Sequence, residues 1–172
     1  ANDEHFALDV QTWSIAALGA EKIDQWLGDG AAYRIWQTAK ESSGVRDSDG
    51  NLSGVGFSCE KDRVSVEWTA GAILAAMELK RYYEGSHPEW AKETWTDARQ
   101  MRRGIEGLRR NLDKSMAAYS YSSRRGWIPF GWNSHDPEVL SLASTGWVVF
   151  VDNGFNPFFL SQTIRPVLSL RP

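Results

Sequence analysis

The sequence predicts an all-α domain in which buried helices alternate with amphipathic ones, and three observations carry that expectation. Apolar residues recur at spacings of three and four through most of the chain. Segments near 7–18, 67–83 and 138–152 are apolar almost all round, whereas those near 31–41 and 89–115 carry charge on their other faces. The resulting order is the one expected when an inner set of helices is wrapped by an outer set.

The elements follow in turn. Phe6 to Leu18 holds one charge, Asp9, and stops at Gly19. A short helical turn, Glu21 to Leu27, is broken by Gly28-Asp29-Gly30. Ala32, Ile35, Trp36 and Ala39 then form an apolar stripe opposite Arg34, Gln37 and Lys40. Residues 44–66 read as a hairpin or loop excursion, with turn chemistry at Asp47-Ser48-Asp49-Gly50-Asn51 and extended flanks at Val55, Phe57, Val64 and Val66. No charge lies between Glu67 and Glu78, so that helix is buried all round at its front. Ser86-His87-Pro88-Glu89 resembles a capping box with proline in the first turn. The spacing of Ala91, Trp95, Ala98, Met101, Ile105, Leu108, Leu112 and Met116 predicts one long outer helix. An aromatic loop, Tyr119 to His135, follows, and Asp136-Pro137 is the expected start of the last helix. Residues 1–160 form one domain on this basis, and 161–172 an irregular tail.

Composition narrows the function. The chain has 172 residues, 42% hydrophobic and 24% charged, which excludes disorder and low-complexity repeats. A net charge of −3 argues against nucleic acid held by general electrostatics. No stretch approaches the roughly 20 apolar residues of a membrane span. The single cysteine, Cys59, excludes an intrachain disulfide and leaves the compartment open, a periplasmic or secreted setting being favoured over the cytoplasm. A start without Met suggests processing or excision from a longer chain. Nine tryptophans are the outlier, suited either to a large core or to stacking on sugar rings.

Leu8-Asp9-Val10-Gln11-Thr12-Trp13, Val66-Glu67-Trp68-Thr69-Ala70-Gly71-Ala72, Trp127-Ile128-Pro129-Phe130-Gly131-Trp132, Leu142-Ala143-Ser144-Thr145-Gly146-Trp147 and Gly154-Phe155-Asn156-Pro157-Phe158 together resemble segments of bacterial α/α-toroid glycoside hydrolases, the glucoamylase-like group. The resemblance implies paired inner and outer helices, acids and aromatics at one rim, and a carbohydrate substrate. At about a dozen residues per helix, the chain holds about half such a toroid. It therefore resembles a C-terminal portion, with an N-terminal segment or another chain completing the ring.

Two acids are the catalytic candidates. Glu67 opens a buried helix directly after the excursion, where a rim residue belongs, and would act as general acid. The alternative is a first-turn Glu serving the helix dipole, which would lower its pKa, so burial beside Trp68 has to win. Asp9 shares a helix face with Trp13 and would act as base or sugar-hydroxyl acceptor, roughly 6.5–9.5 Å from its partner in an inverting enzyme. The alternative there is a cap or ion pair. Trp13, Trp68, Trp127, Trp132 and Arg125 are the candidate substrate-binding residues, the aromatics serving equally well as a core plug. No cofactor is required, and no metal is expected: the Asp47 loop has Leu52 and Ser58 where a calcium loop needs Gly and Glu. Two rivals remain: a polysaccharide lyase using Tyr119, Tyr121 or His135, and a non-catalytic helical module that binds a glycan or protein.

Overall fold

The computed structural model describes residues 6–159. Six helices are connected by seven short strands. Helices α1 (Leu8–Leu18), α2 (Ala20–Leu27) and α3 (Ala31–Ser43) lead into the hairpin β1 (Gly44–Arg46) and β2 (Leu52–Val55). Helices α4 (Val66–Tyr83) and α5 (Pro88–Glu106) follow, then β3 (Arg109–Asn111), β4 (Ala117–Ser120), β5 (Gly126–Ile128), β6 (Trp132–Ser134) and β7 (Leu140–Ser141), and last α6 (Leu142–Asp152).

The all-α, half-toroid expectation is corrected. The described residues are 52% helical and form three antiparallel sheets of two or three strands, which makes this a mixed α/β structure. Of the expected excursion at 44–66, residues 44–55 form the β1–β2 hairpin, while Phe57 and Val64 lie outside the strands and Val66 opens α4. The expected helix to 115 ends at Glu106, although Leu108, Leu112 and Met116 continue its spacing. Leu112 and Met116 are each 56% exposed, so no core holds that continuation. Instead the Asp113 carboxylate accepts from the backbone N–H of Ser115 and Met116, a turn that folds β3 back onto β4. Asp136-Pro137 does not cap α6, which starts five residues later, with Ser141 Oγ accepting from Ser144 N at 3.1 Å. At α5 the proline does sit in the first turn, but His87 is the N-cap and makes no side-chain cap bond. The tail at 161–172 lies outside the described residues.

Helix α4 is the centre of the core. Val66, Trp68 to Ala76, Leu79 and Tyr83 are all buried, and α1, α3, α5, α6 and β2 pack around it. Alanine and glycine at 70, 71, 72, 75 and 76 let those neighbours approach closely. Polar staples hold the layers. Asp24 accepts from Gly30 N, Ala32 N and the Tyr83 hydroxyl, joining α2, the start of α3 and α4. Asp97 accepts from Trp36 Nε1 and Lys40 Nζ, joining α3 to α5. Buried Arg102 pairs with Asp152 at 2.7 Å, tying α5 to the end of α6. Helices α1 and α6 flank α4 and differ from it in exposure. Val10 and Leu18 on α1, and Leu142 (91%) and Val149 (52%) on α6, are open to solvent. Of the three helices expected to be buried all round, only α4 is.

Glycine at 104 is a constraint of its own. A Cβ there would lie 1.9 Å from the Ser53 carbonyl oxygen, where β2 crosses α5 backbone to backbone. Gly104→Ala therefore costs on the order of 1–3 kcal/mol, whereas Gly85→Ala, which meets open space, stays within about 0.5 kcal/mol. Urea unfolding of both variants checks this, and equal midpoints would contradict it.

Candidate carboxyl site

Asp9 lies in the first turn of α1 and Glu67 in the first turn of α4. The two helices pack together, the charge of Asp9 acts on Glu67, and Trp13 meets Gly71 one turn along each, so both begin at the same end of the core. Ser65 caps α4, its Oγ accepting from Trp68 N at 3.3 Å. The dipole of α4 favours an ionised Glu67. Burial, and then the neighbouring charge of Asp9, outweigh it, and the Glu67 pKa is raised; a hydrogen bond from Trp147 opposes the rise. Asp9 is also raised by burial, against the hydrogen bond it accepts from Val10 N at 2.9 Å. Two carboxyls that both resist ionisation therefore share one rim.

Tryptophans cover the pair. Trp13 lies one turn along α1 from Asp9, and Gly71 one turn along α4 from Glu67. The Trp13 indole sits in the notch that Gly71 leaves: a Cβ there would be 2.2 Å from Trp13 Nε1. Trp147 of α6 stacks on Trp13 with centroids 5.2 Å apart and planes 10° from parallel. Phe158 lies 6.0 Å from Trp13 and 5.8 Å from Trp147.

A second aromatic group lies at the entry of α4. Val66 N donates to the Tyr121 carbonyl and Ser123 N to the Val64 carbonyl, which ties the chain after β4 to the entry of α4. Tyr121 thereby feels the charge of Glu67, and its phenol is pushed up, chiefly by burial. Trp132 Nε1 donates to the Tyr121 hydroxyl at 3.0 Å. Phe57, Trp68, Phe130, Trp132 and Tyr121 close a ring of contacts, with centroids 5.0 Å (Phe57–Trp68), 5.9 Å (Trp68–Phe130), 5.9 Å (Phe130–Trp132) and 5.5 Å (Tyr121–Phe57) apart.

The structure thus brings together Asp9, Glu67 and Trp13, with Trp132 linked through Tyr121. It treats the other expected residues differently. Trp68 is 7% exposed and acts as the floor of the aromatic ring rather than as an open stacking surface. Trp127 opposes Asn133 and Trp132 opposes Ile128 in the β5–β6 register, so the two indoles leave opposite faces of that hairpin. Arg125 is exposed and lies 3.7 Å from Asp136. The hairpin is held from below by an unforeseen residue, Arg63. It is buried, pairs with Asp62, donates to Ser134 Oγ, and fills the space over Gly126. Trp147, given no role from the sequence, and Tyr121, considered there only as a base for the lyase rival, are the further site residues; helical spacing signals neither, because both arrive from distant segments.

The remaining candidates have other work. Tyr119 donates to Glu106 at 2.9 Å and accepts from Arg102 at 3.3 Å, and its phenol is pushed up to about 12, chiefly by burial. Asp47 accepts from Asp49 N and Asn51 N, closing the β1–β2 turn. A 280 Å³ hollow beside that turn, bounded by Asn51, Ser53, Gln100 and Arg103, contains neither carboxyl of the pair. Among the described residues no helix is long and apolar enough to cross a membrane. Comparison with protein-family models, with curated proteins and with solved structures finds no match.

Raised carboxyl pKa values make the site a cost to stability. Between the unfolded and the folded value the native state binds more protons, so stability falls as pH rises through that window. Glu67→Gln and Asp9→Asn should each raise the unfolding midpoint at neutral pH and change it little near about pH 3, where both states hold the proton. Unaltered midpoints at neutral pH would contradict the assignment.

Proposed function

We propose that this chain carries the acid–base site of a glycoside hydrolase acting on a glucan or related polysaccharide with inversion. The observation that carries the proposal is the Asp9–Glu67 pair, two carboxyls of raised pKa at one tryptophan-covered rim. Glu67 is the acid: burial keeps its proton available at a pH where an ordinary Glu has lost it. Asp9 is the base. It takes a proton from water as the water oxygen attacks the anomeric carbon, while the departing glycosidic oxygen takes the proton of Glu67. Trp13, Trp132 and Tyr121 supply apolar faces and polar tips suited to pyranose rings. The solvent-open apolar residues of α1 and α6 support a further segment or another chain covering those helices.

The lyase alternative draws less support. Tyr119 is held in the Arg102–Glu106 pair, and the phenols of Tyr119 and Tyr121 are both raised, the wrong direction for a base. A purely binding module would leave both acids dispensable.

A screen over glucans identifies the substrate for the test. Glu67→Gln should then lower turnover by about 10²–10⁴-fold with little change in binding, and less so on substrates with good leaving groups. Asp9→Asn should slow turnover without that dependence. Activity should fall at high pH as Glu67 ionises and at low pH as Asp9 takes up a proton, with NMR of the first-formed anomer showing inversion. Near-normal turnover by Glu67→Gln would overturn the assignment.

A further inference from the structure

Helix α5 carries four acids and four bases, and the fold separates them. Glu93 and Asp97 turn toward α3, onto Lys40, and Glu106 pairs with buried Arg102 at 2.7 Å. Glu89 lies 3.9 Å from His87 at the start of the helix. Lys92, Arg99 and Arg103 are left exposed, and their side chains make no ion pair or hydrogen bond among the described residues. At 3.6 residues per turn the three fall within about 40° of one another, so they form one basic stripe about 17 Å long. The stripe ends at the 280 Å³ hollow between α5 and the β1–β2 turn, because Arg103 is part of its wall. That hollow is held open by bonds of its own. The β2 backbone lies against α5 at Gly104, and Gln100 accepts from Leu52 N at 3.0 Å while donating to Asn51 Oδ1 at 3.1 Å. Asp47 closes the turn by accepting from Asp49 N and Asn51 N. Its wall carries donors and acceptors together: the Arg103 guanidinium, the Asp47 carboxylate, the Asn51 amide and the Ser53 hydroxyl, which makes no hydrogen bond among the described residues.

We propose that the hollow and the stripe bind an acidic polysaccharide, a chain of uronate residues. Arg103 takes a sugar carboxylate, Ser53, Asn51 and Asp47 take hydroxyls of the same unit, and Arg99 and Lys92 hold carboxylates farther along the chain. A guanidinium meets a carboxylate through two parallel N–H bonds, which an unpaired arginine has available. Sugar hydroxyls both donate and accept, which matches a wall that bears a carboxylate beside a guanidinium. Three cations spread over about 17 Å suit a ligand of repeated charge better than a single small anion. Two features disfavour nucleic acid. Asp47 meets a phosphodiester with like charge, and neither aromatic residue of α5, Trp90 or Trp95, is exposed for a base to stack on. Asp9 and Glu67 take no part in this surface, so it stands or falls apart from the acid–base reading of that pair.

The probes are tetragalacturonate, single galacturonate and maltotetraose, an uncharged chain of equal length, each added to the whole protein at fixed ionic strength and followed by NMR. Tetragalacturonate should move the backbone amide signal of Ser53 and the side-chain amide signals of Asn51 and Gln100 to saturation, and maltotetraose should leave them nearly in place. Arg103→Gln should weaken tetragalacturonate binding about ten- to a hundredfold, the loss expected for a hydrogen bond to a charged group. Its thermal unfolding should match that of the unaltered protein, since the fold makes no use of that guanidinium. Ser53→Ala, which removes only the hydroxyl, should weaken both uronates. Lys92→Gln should weaken tetragalacturonate severalfold and leave single galacturonate unaffected, because one sugar unit cannot bridge the about 17 Å from Arg103. The proposal is overturned if tetragalacturonate gives no saturable shift, if maltotetraose binds equally well, or if Arg103→Gln binds as the unaltered protein does. A single-stranded oligonucleotide that binds more tightly than tetragalacturonate at the same ionic strength overturns it too.

Discussion

Helix α4 has to be covered on every side, because Trp68 to Met77 carry no charge and all but Met77 are buried. That constraint orders the rest of the molecule. It requires α1, α3, α5 and α6 around one axis, and small residues along α4 set how near they come. Thr69, the polar side chain on that stretch, is satisfied by exchanging hydrogen bonds with the Val55 backbone, which locks β2 onto the same helix. The outer contacts are polar by contrast. Asp24, Asp97 and Arg102 are buried charges, and each is held by two or more partners, as burial of a charge demands.

The covered helix also creates the site. Glu67 belongs to the first turn of α4, where the chain passes from the β2 loop into the core, and α1 brings Asp9 to the same end. The fold thereby places two carboxyls where neither is well hydrated, and the charge of Asp9 disfavours ionisation of Glu67. Nothing in the packing needs acids there, and apolar or amide side chains would serve stability better. Local cost of that kind, beside five aromatic residues drawn from four segments, is what distinguishes this rim from the ion pairs elsewhere.

Helices were legible in the sequence because each is long enough to show its period: α1, α3 and α4 fall within a residue or two of their expected ends. Of the strands only the β1–β2 hairpin was, announced by its Asp-Gly turn. Each is two to four residues long, too short for alternation to appear, and β3 and β4 hide inside a run whose leucine and methionine spacing imitates a helix. Asp113 decides the matter there, by capturing backbone N–H groups that a helix would have used. The acids were legible as lone charges on apolar helices. Their aromatic partners were only partly so. Trp127 and Trp132 look equivalent in sequence, and only the β5–β6 register separates them; the stack of Trp13 on Trp147 spans α1 and α6 and leaves no local trace.

The central claim is that Asp9 and Glu67 form one electrostatically coupled pair. Removing the charge of Asp9 while keeping its shape isolates that coupling, so the direct measurement is the Glu67 carboxyl titration, by carbon NMR, in the unaltered protein and in Asp9→Asn. The account predicts a midpoint above the ordinary Glu value that moves down in Asp9→Asn, though not all the way, because burial remains. An ordinary midpoint that ignores the substitution would contradict it.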